Sequence, residues 1–232
     1  MLNFAKIMTA CCVLIVAAAT AAMAGDSSAV ALVTKTIQVV SKKTPATDWM
    51  KAAKGDPLAS GDQVQTGVKS LAVVKFIDNS IVRVREQSEL TITGESSSPR
   101  SLSKEIRMSQ GALGFDVKKQ KQNEQFRFTS PTSVASIRGT KGKRSCGPDG
   151  DTLLTVEGLV NLMNSVSNKD LDIPAGYIGF CYPDGSISSR KATEEELNDA
   201  MNLVNGVPGA DIKIELQDSR GNKKELRIKN KQ

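Results

Sequence analysis

Apolar side chains fall on every second residue in one segment after another. Val74 and Phe76 flank Lys75, Val82 and Val84 alternate with Arg83 and Arg85, and Leu113, Phe115 and Val117 repeat the spacing. A period of two belongs to a strand with one face in a core and the other in water. Leu90 with Ile92, Ile106 with Met108, and Phe126 with Phe128 carry the same signal. Turn formers such as Asp78-Asn79-Ser80 end the runs. Further short strands are expected at 30–40, 134–137, 153–156, 160–163 and 177–180. The pattern predicts an all-β sandwich or roll of many short strands, and its uneven spacing excludes a simple repeat. With aromatics at only 4%, the core must rest on Val, Ile, Leu and a few Phe, each buried aliphatic contributing roughly 1.5–3 kcal/mol.

Three stretches interrupt the alternation. Residues 48–54, around Trp49, suit a short helix or a loop, the polar stretch 94–99 suits a loop, and 118–125 reads as a solvated loop or hairpin tip. The texture changes at Lys191. Thr193 followed three residues later by Glu196 fits a capping box, and Leu197, Met201 and Val204 form a helical stripe that ends at Asn205-Gly206. Ile212, Ile214 and Leu216 then alternate, Ser219-Arg220-Gly221-Asn222 turns, and Leu226 and Ile228 return, as in a hairpin. The expected organisation is a leader over 1–24, an all-β domain over 25–190, and a helix plus hairpin packed on it over 191–232.

The leader is read from Lys6, the apolar run from Cys11 to Ala19, and Ala22-Met23-Ala24 before Gly25. A charged start, a short apolar core and a small-x-small site describe a secretory signal cleaved between Ala24 and Gly25. The apolar run is too short to span a bilayer, so the mature chain is expected to be periplasmic or extracellular, with no transmembrane segment. Export leaves two cysteines, Cys146 and Cys181, each opening a C-x-P-D-G turn. An even pair in an oxidising compartment predicts one structural disulfide, worth roughly 3–4 kcal/mol in the chain-entropy picture.

There is no histidine, which removes the commonest general base, metal ligand and pH switch. No cofactor, metal site or catalytic residue is expected. Gly142-Lys143 is not a phosphate loop, because Arg144 stands where Ser or Thr is required. Asp149 and Asp151 lack the other oxygen ligands of a calcium loop. The net charge of +6 permits attraction to acidic surfaces without demanding it, and so few aromatics argue against nucleic acid. Lys119, Lys121, Lys141, Lys143 and Arg144 make up two basic clusters and a candidate contact surface.

Several segments, in a shared order, resemble the FecR domain family over roughly residues 55–176. They are Gly61-Asp62-x-Val64-x-Thr66-Gly67-x-x-Ser70, Phe76-x-Asp78-x-Ser80-x-Val82 and Gly111-x-Leu113. The most specific is Thr129-x-Pro131-x-x-Val134-Ala135-x-Ile137-Arg138-Gly139-Thr140. Val156-Glu157-Gly158-x-Val160 and Pro174-Ala175-Gly176 close the series. The resemblance implies an all-β extracytoplasmic domain that works through contacts between proteins. Well-known members relay the state of an outer-membrane transporter to a cytoplasmic sigma factor. A cleavable leader in place of an internal membrane helix implies no direct sigma-factor contact here, and the iron-regulation role is not inherited. Read from the residues, the motif glycines (Gly61, Gly67, Gly111, Gly139, Gly158, Gly176) suit turns with positive φ. Asp62, Thr66, Asp78 and Ser80 can hold turn backbone, and Arg138 can meet a carboxylate at a sheet edge. After Thr140, Lys141-Gly142-Lys143-Arg144-Ser145 departs from apolar alternation and predicts an exposed edge or loop. The expected function is a non-catalytic binding module for an envelope protein of unknown identity. The alternative is a surface module for acidic polysaccharide or lipid headgroups.

Overall fold

The computed structural model describes residues 29–98, 101–121, 124–206, 212–217 and 223–228, without the side chains of 95–98, 101–102 and everything from 212 onward. The expected leader and its Ala24–Gly25 cleavage point lie outside the described residues. The body opens with β1 (Ala31–Ile37), β2 (Val40–Lys43), β3 (Met50–Lys51) and β4 (Pro57–Leu58). β5 (Gln63–Thr66), β6 (Leu71–Phe76) and β7 (Ile81–Val84) lead to the long strands β8 (Glu89–Ser98) and β9 (Ser101–Val117). Then come β10 (Phe126–Thr129), β11 (Ser133–Ile137), β12 (Thr140–Gly147) and β13 (Gly150–Glu157). β14 (Leu159–Asn164), β15 (Asp170–Pro174), β16 (Tyr177–Cys181) and β17 (Ile187–Lys191) complete the body. Helix α1 (Glu194–Asn205) and the hairpin β18 (Ile212–Gln217) and β19 (Lys223–Ile228) follow.

The fold is all-β with a helical appendage, and its sheets do not close into a barrel. Sheet A runs β4-β1-β6-β7-β9-β12-β13-β16-β17. Sheet B runs β3-β2-β5-β8-β9-β10-β11-β14-β15. Every pairing is antiparallel except β9 with β10. β9 belongs to both layers: its first half pairs with β8 and β10, and its second with β7 and β12. Gly111 marks the crossing with a φ of +98°, and a Cβ there would lie 2.4 Å from the Ser88 Cα. Buried Ser88 locks the approach, its Oγ accepting from Ala112 N at 2.9 Å.

The alternating residues meet between the layers. Four of the six phenylalanines join them: Phe76 packs on Phe126 with centroids 5.1 Å apart, and Phe115 on Phe128 at 5.0 Å. Three expectations about loops change. Residues 48–54 hold the short strand β3 and no helix. The polar residues after Gly94 prolong β8 to Ser98, because ladder hydrogen bonds ask nothing of the side chains. Residues 141–145 form the middle of β12, flanked by β9 and β13, and are neither edge nor loop.

The capping box is built as its spacing predicts. Glu196 N donates to Thr193 Oγ1 (3.2 Å), and Thr193 N donates to Glu196 Oε2 (2.8 Å). α1 lies on the outer face of sheet A over β7, β9, β12 and β13. Its buried side chains are Ala200, Leu203 and Val204, whereas Met201, expected in the stripe, is 37% exposed. Gly114 lets the helix approach, since a Cβ there would sit 2.6 Å from Leu203 Cγ. The hairpin forms as expected, but its side chains, and with them its packing on the body, lie outside the described residues.

Gly111→Ala adds left-handed strain to a backbone collision and should cost roughly 2–5 kcal/mol. Urea denaturation measures it, and a midpoint equal to wild type would show that the bend does not depend on that contact. Hydrogen bonding from Arg190, then from the Thr193 backbone, depresses Glu196 to about 2 from an ordinary value of 4.5. A carboxyl group lowered on folding stabilises the fold above its unfolded pKa and loses that contribution as pH falls through the folded value. The helical dichroism of the wild type should therefore weaken between about pH 4.5 and 2, and weaken less over that window in Glu196→Gln.

Candidate interaction surface

The basic cluster around β12 divides between interior and surface. Alternation turns Thr140, Gly142, Arg144 and Cys146 inward and leaves Lys141 and Lys143 on the outer face. Arg144 is 1% exposed and cannot be a contact residue. Its Nη2 donates to Ser133 Oγ (2.8 Å) and Ser133 O (3.2 Å), and lies 3.4 Å from Asp151 Oδ2. Asp151, 3% exposed, also accepts from the hydroxyls of Ser130 and Ser133. Gly142 is inward because a Cβ would meet the Leu154 carbonyl and the Phe115 ring. The departure from apolar residues after Thr140 therefore buries an ion pair.

The expected disulfide between Cys146 and Cys181 does not form, and both thiols are buried and free. Asp151 stands between them, opposite Cys146 on one side and Cys181 on the other. Two strand spacings are about 9.5 Å, whereas a bridge needs Cα atoms within roughly 7 Å. The two C-x-P-D-G turns gave each cysteine the same offset but not adjacent strands. Burial raises each thiol to about 11, so neither is a ready nucleophile.

The remaining lysines are spread out. Lys119 and Lys121 are exposed, and Lys119 shares a groove of about 220 Å³ with Lys141, Gly139 and Glu157. Lys141 is already paired with Glu157 at 2.6 Å. Lys143 reaches Asp199 of α1 at 2.6 Å, and Arg85 reaches the same carboxylate at 3.2 Å. Burial alone would raise Asp199, but these two cations hold it below the usual carboxylate range. Lys143 thus fastens the helix to sheet A.

The motif residues are mostly structural fasteners. Asp62 accepts from Ala59 N (2.9 Å), and Thr66 Oγ1 accepts from Ser88 N (3.1 Å). Ser70 Oγ accepts from Val39 N (3.0 Å). Gly67 lacks the expected positive φ, and its need is space, with Val39 Cβ 3.2 Å from where its own Cβ would be. Asp78 binds Ser80 N (3.0 Å), Gln120 Nε2 (2.9 Å) and Lys104 Nζ (3.0 Å). Burial opposes its ionisation, but these donors keep its pKa below the ordinary value. Pro131 tops the turn whose Ser130 N donates to Ser133 O (2.9 Å), and Gly158 leaves room for Thr140. Sequence reasoning missed Lys104, Gln120, Ser88, Ser130 and Ser133, since a buried polar residue has no periodic signature. Arg138 is exposed and has no ion-pair partner among the described residues.

Sheet A is covered by α1, whereas α1 makes no comparable contact with β10, β11 or β14 of sheet B. On the outer side of these strands Arg127 stands opposite Ser136, and Val134 opposite Met163. A cleft of about 490 Å³ lies there, bordered by Arg127, Val134, Ser136, Arg138 and Met163.

Removing one member of the buried pair tests the interior. Arg144→Met leaves Asp151 unpaired and should cost about 3–5 kcal/mol. Adding Asp151→Asn should restore part of that loss in urea titrations, and full additivity of the two losses would exclude the coupling.

No curated protein matches this sequence. Two crystal structures, at 1.65 and 2.50 Å, of a Parabacteroides distasonis ATCC 8503 protein provisionally assigned as an anti-sigma factor share the fold. In each, the TM-score is 0.51 at 10% identity, over 60% of this chain and 64% of the other. The likeness therefore spans less than two-thirds of that protein, and at such identity it concerns the fold alone. The FecR resemblance is carried by a defined stretch: residues 62–161, from the turn before β5 into β14, match the family model described as FecR protein.

Proposed function

We propose that the protein is an exported FecR-like module that acts by protein–protein contacts at the bacterial cell envelope, in signalling or assembly, without catalysis. The FecR match over residues 62–161 carries this reading. The fold shared with a protein provisionally assigned as an anti-sigma factor agrees with a regulatory role. Among the described residues the helix covers one face of the sandwich and nothing comparable packs on the other, an arrangement suited to presenting a surface. Among the described residues no helix is long and apolar enough to cross a membrane. The electrostatic alternative, acidic polysaccharide or lipid held by basic loops, loses support. Arg144 is internal and Lys141 and Lys143 are neutralised, leaving only Lys119 and Lys121 of that cluster exposed and without an ion pair among the described residues.

The test is crosslinking in cells followed by capture of the tagged protein and mass spectrometry. A defined envelope protein should be recovered reproducibly, and equally well with Lys119→Glu/Lys121→Glu. Recovery of glycan or lipid alone, abolished by that double reversal and by salt, would replace the protein-contact reading with the electrostatic one.

A further inference from the structure

We infer that the cleft between Arg127 and Arg138 on the outer face of sheet B is the docking site for an extended partner segment carrying carboxylate and aliphatic side chains. This inference deepens the protein-contact function and rests on it. The site comes from strand register. Arg127 on β10 is opposite Ser136 on β11, and Arg138 lies two residues further along β11 on the same side. The two guanidinium-bearing residues are therefore diagonal neighbours, roughly 7–8 Å apart along the sheet. Val134 and Met163 form the apolar floor beside them. Leu159, 52% exposed, continues the outward row of β14.

Charge selects the partner. Arg138 has no carboxylate within ion-pair distance among the described residues. Arg127 has only a long contact, 3.9 Å, to Glu105, which already serves Arg107 at 3.3 Å and Thr129 at 2.9 Å. Glu124, at the rim, is directed to buried Lys104 at 3.9 Å. Among the residues that line the cleft, the two arginines thus stand against one acid, Glu124. Asp170, opposite Met163, and Asp172, opposite Asn161, border the far side of the floor, where Asn161 Nδ2 donates to them at 2.8 and 3.0 Å. A guanidinium offers a planar fork that fits a carboxylate, and the apolar floor adds burial that a free anion would not use. Neither arginine supports the core, so both can be replaced without disturbing the fold.

The probe is a synthetic peptide of alternating Glu and Val, compared with its Gln-for-Glu counterpart, added to the isotope-labelled protein and followed by amide chemical shifts. The Glu peptide should bind saturably, perturb β10, β11 and β14, and weaken about tenfold or more in Arg127→Gln/Arg138→Gln, whose melting temperature should equal wild type. Equal binding by the double variant, no saturation, or shifts centred on Lys119 and Lys121 would overturn the assignment. Anionic phospholipid vesicles bound with the same dependence on both arginines would also overturn it, in favour of a membrane. The in-cell capture separates the two levels. A partner recovered equally with the double variant removes this cleft and keeps the protein-contact function, whereas no partner in either background removes both.

Discussion

The fold depends on one strand being able to belong to two sheets. β9 can leave sheet B and enter sheet A only if the chain bends and presses its backbone against β8, and the Gly111–Ser88 contact does both. A positive φ turns the strand, and the missing Cβ lets the Ser88 hydroxyl reach Ala112 N. Everything on the far side of that contact inherits its position from it. β7 and β12 pair with the second half of β9, and β12 sets β13 and β16 in turn. Helix α1 then rests on Gly114, three residues past the bend.

The interior is less apolar than alternation suggests. Arg144, Asp151, Ser130 and Ser133 form one buried network, and Lys104, Asp78 and Gln120 another. Such pairs add little net stability over well-packed apolar residues, but each partner is costly to leave alone. They constrain register, because sliding β12 by one residue would put Arg144 in water and Lys143 inside. Among the described residues Arg144 Nε has no hydrogen-bond partner, which limits how much the first network stabilises.

Surface function divides along the same architecture. α1 occupies sheet A through Asp199, Leu203 and the capping box, so the chain uses its own appendage to cover one face. Among the described residues, no helix covers the outward rows of β10 and β11 on the other face. The Ile137-Arg138-Gly139-Thr140 motif joins the two roles: Ile137 and Thr140 are buried, while Arg138 points outward between them.

Period-two alternation by itself determined the class of fold, because a half-buried strand writes its pattern directly into the sequence. The capping box and the closing hairpin were legible for the same local reason, each being set by residues a few positions apart. Pairing between distant strands was not. Cys146 and Cys181 share a turn motif, yet only the ladder reveals Asp151 between them. Lys141 to Ser145 looked solvated because Gly and Arg carry no apolar signal, and only their neighbours show that one makes room for Phe115 and the other answers a buried carboxylate. Which cations were free was likewise a tertiary matter, since Lys143 is claimed by Asp199 and Arg138 by nothing described. Local spacing specifies elements, but burial and partnership depend on what the fold brings alongside.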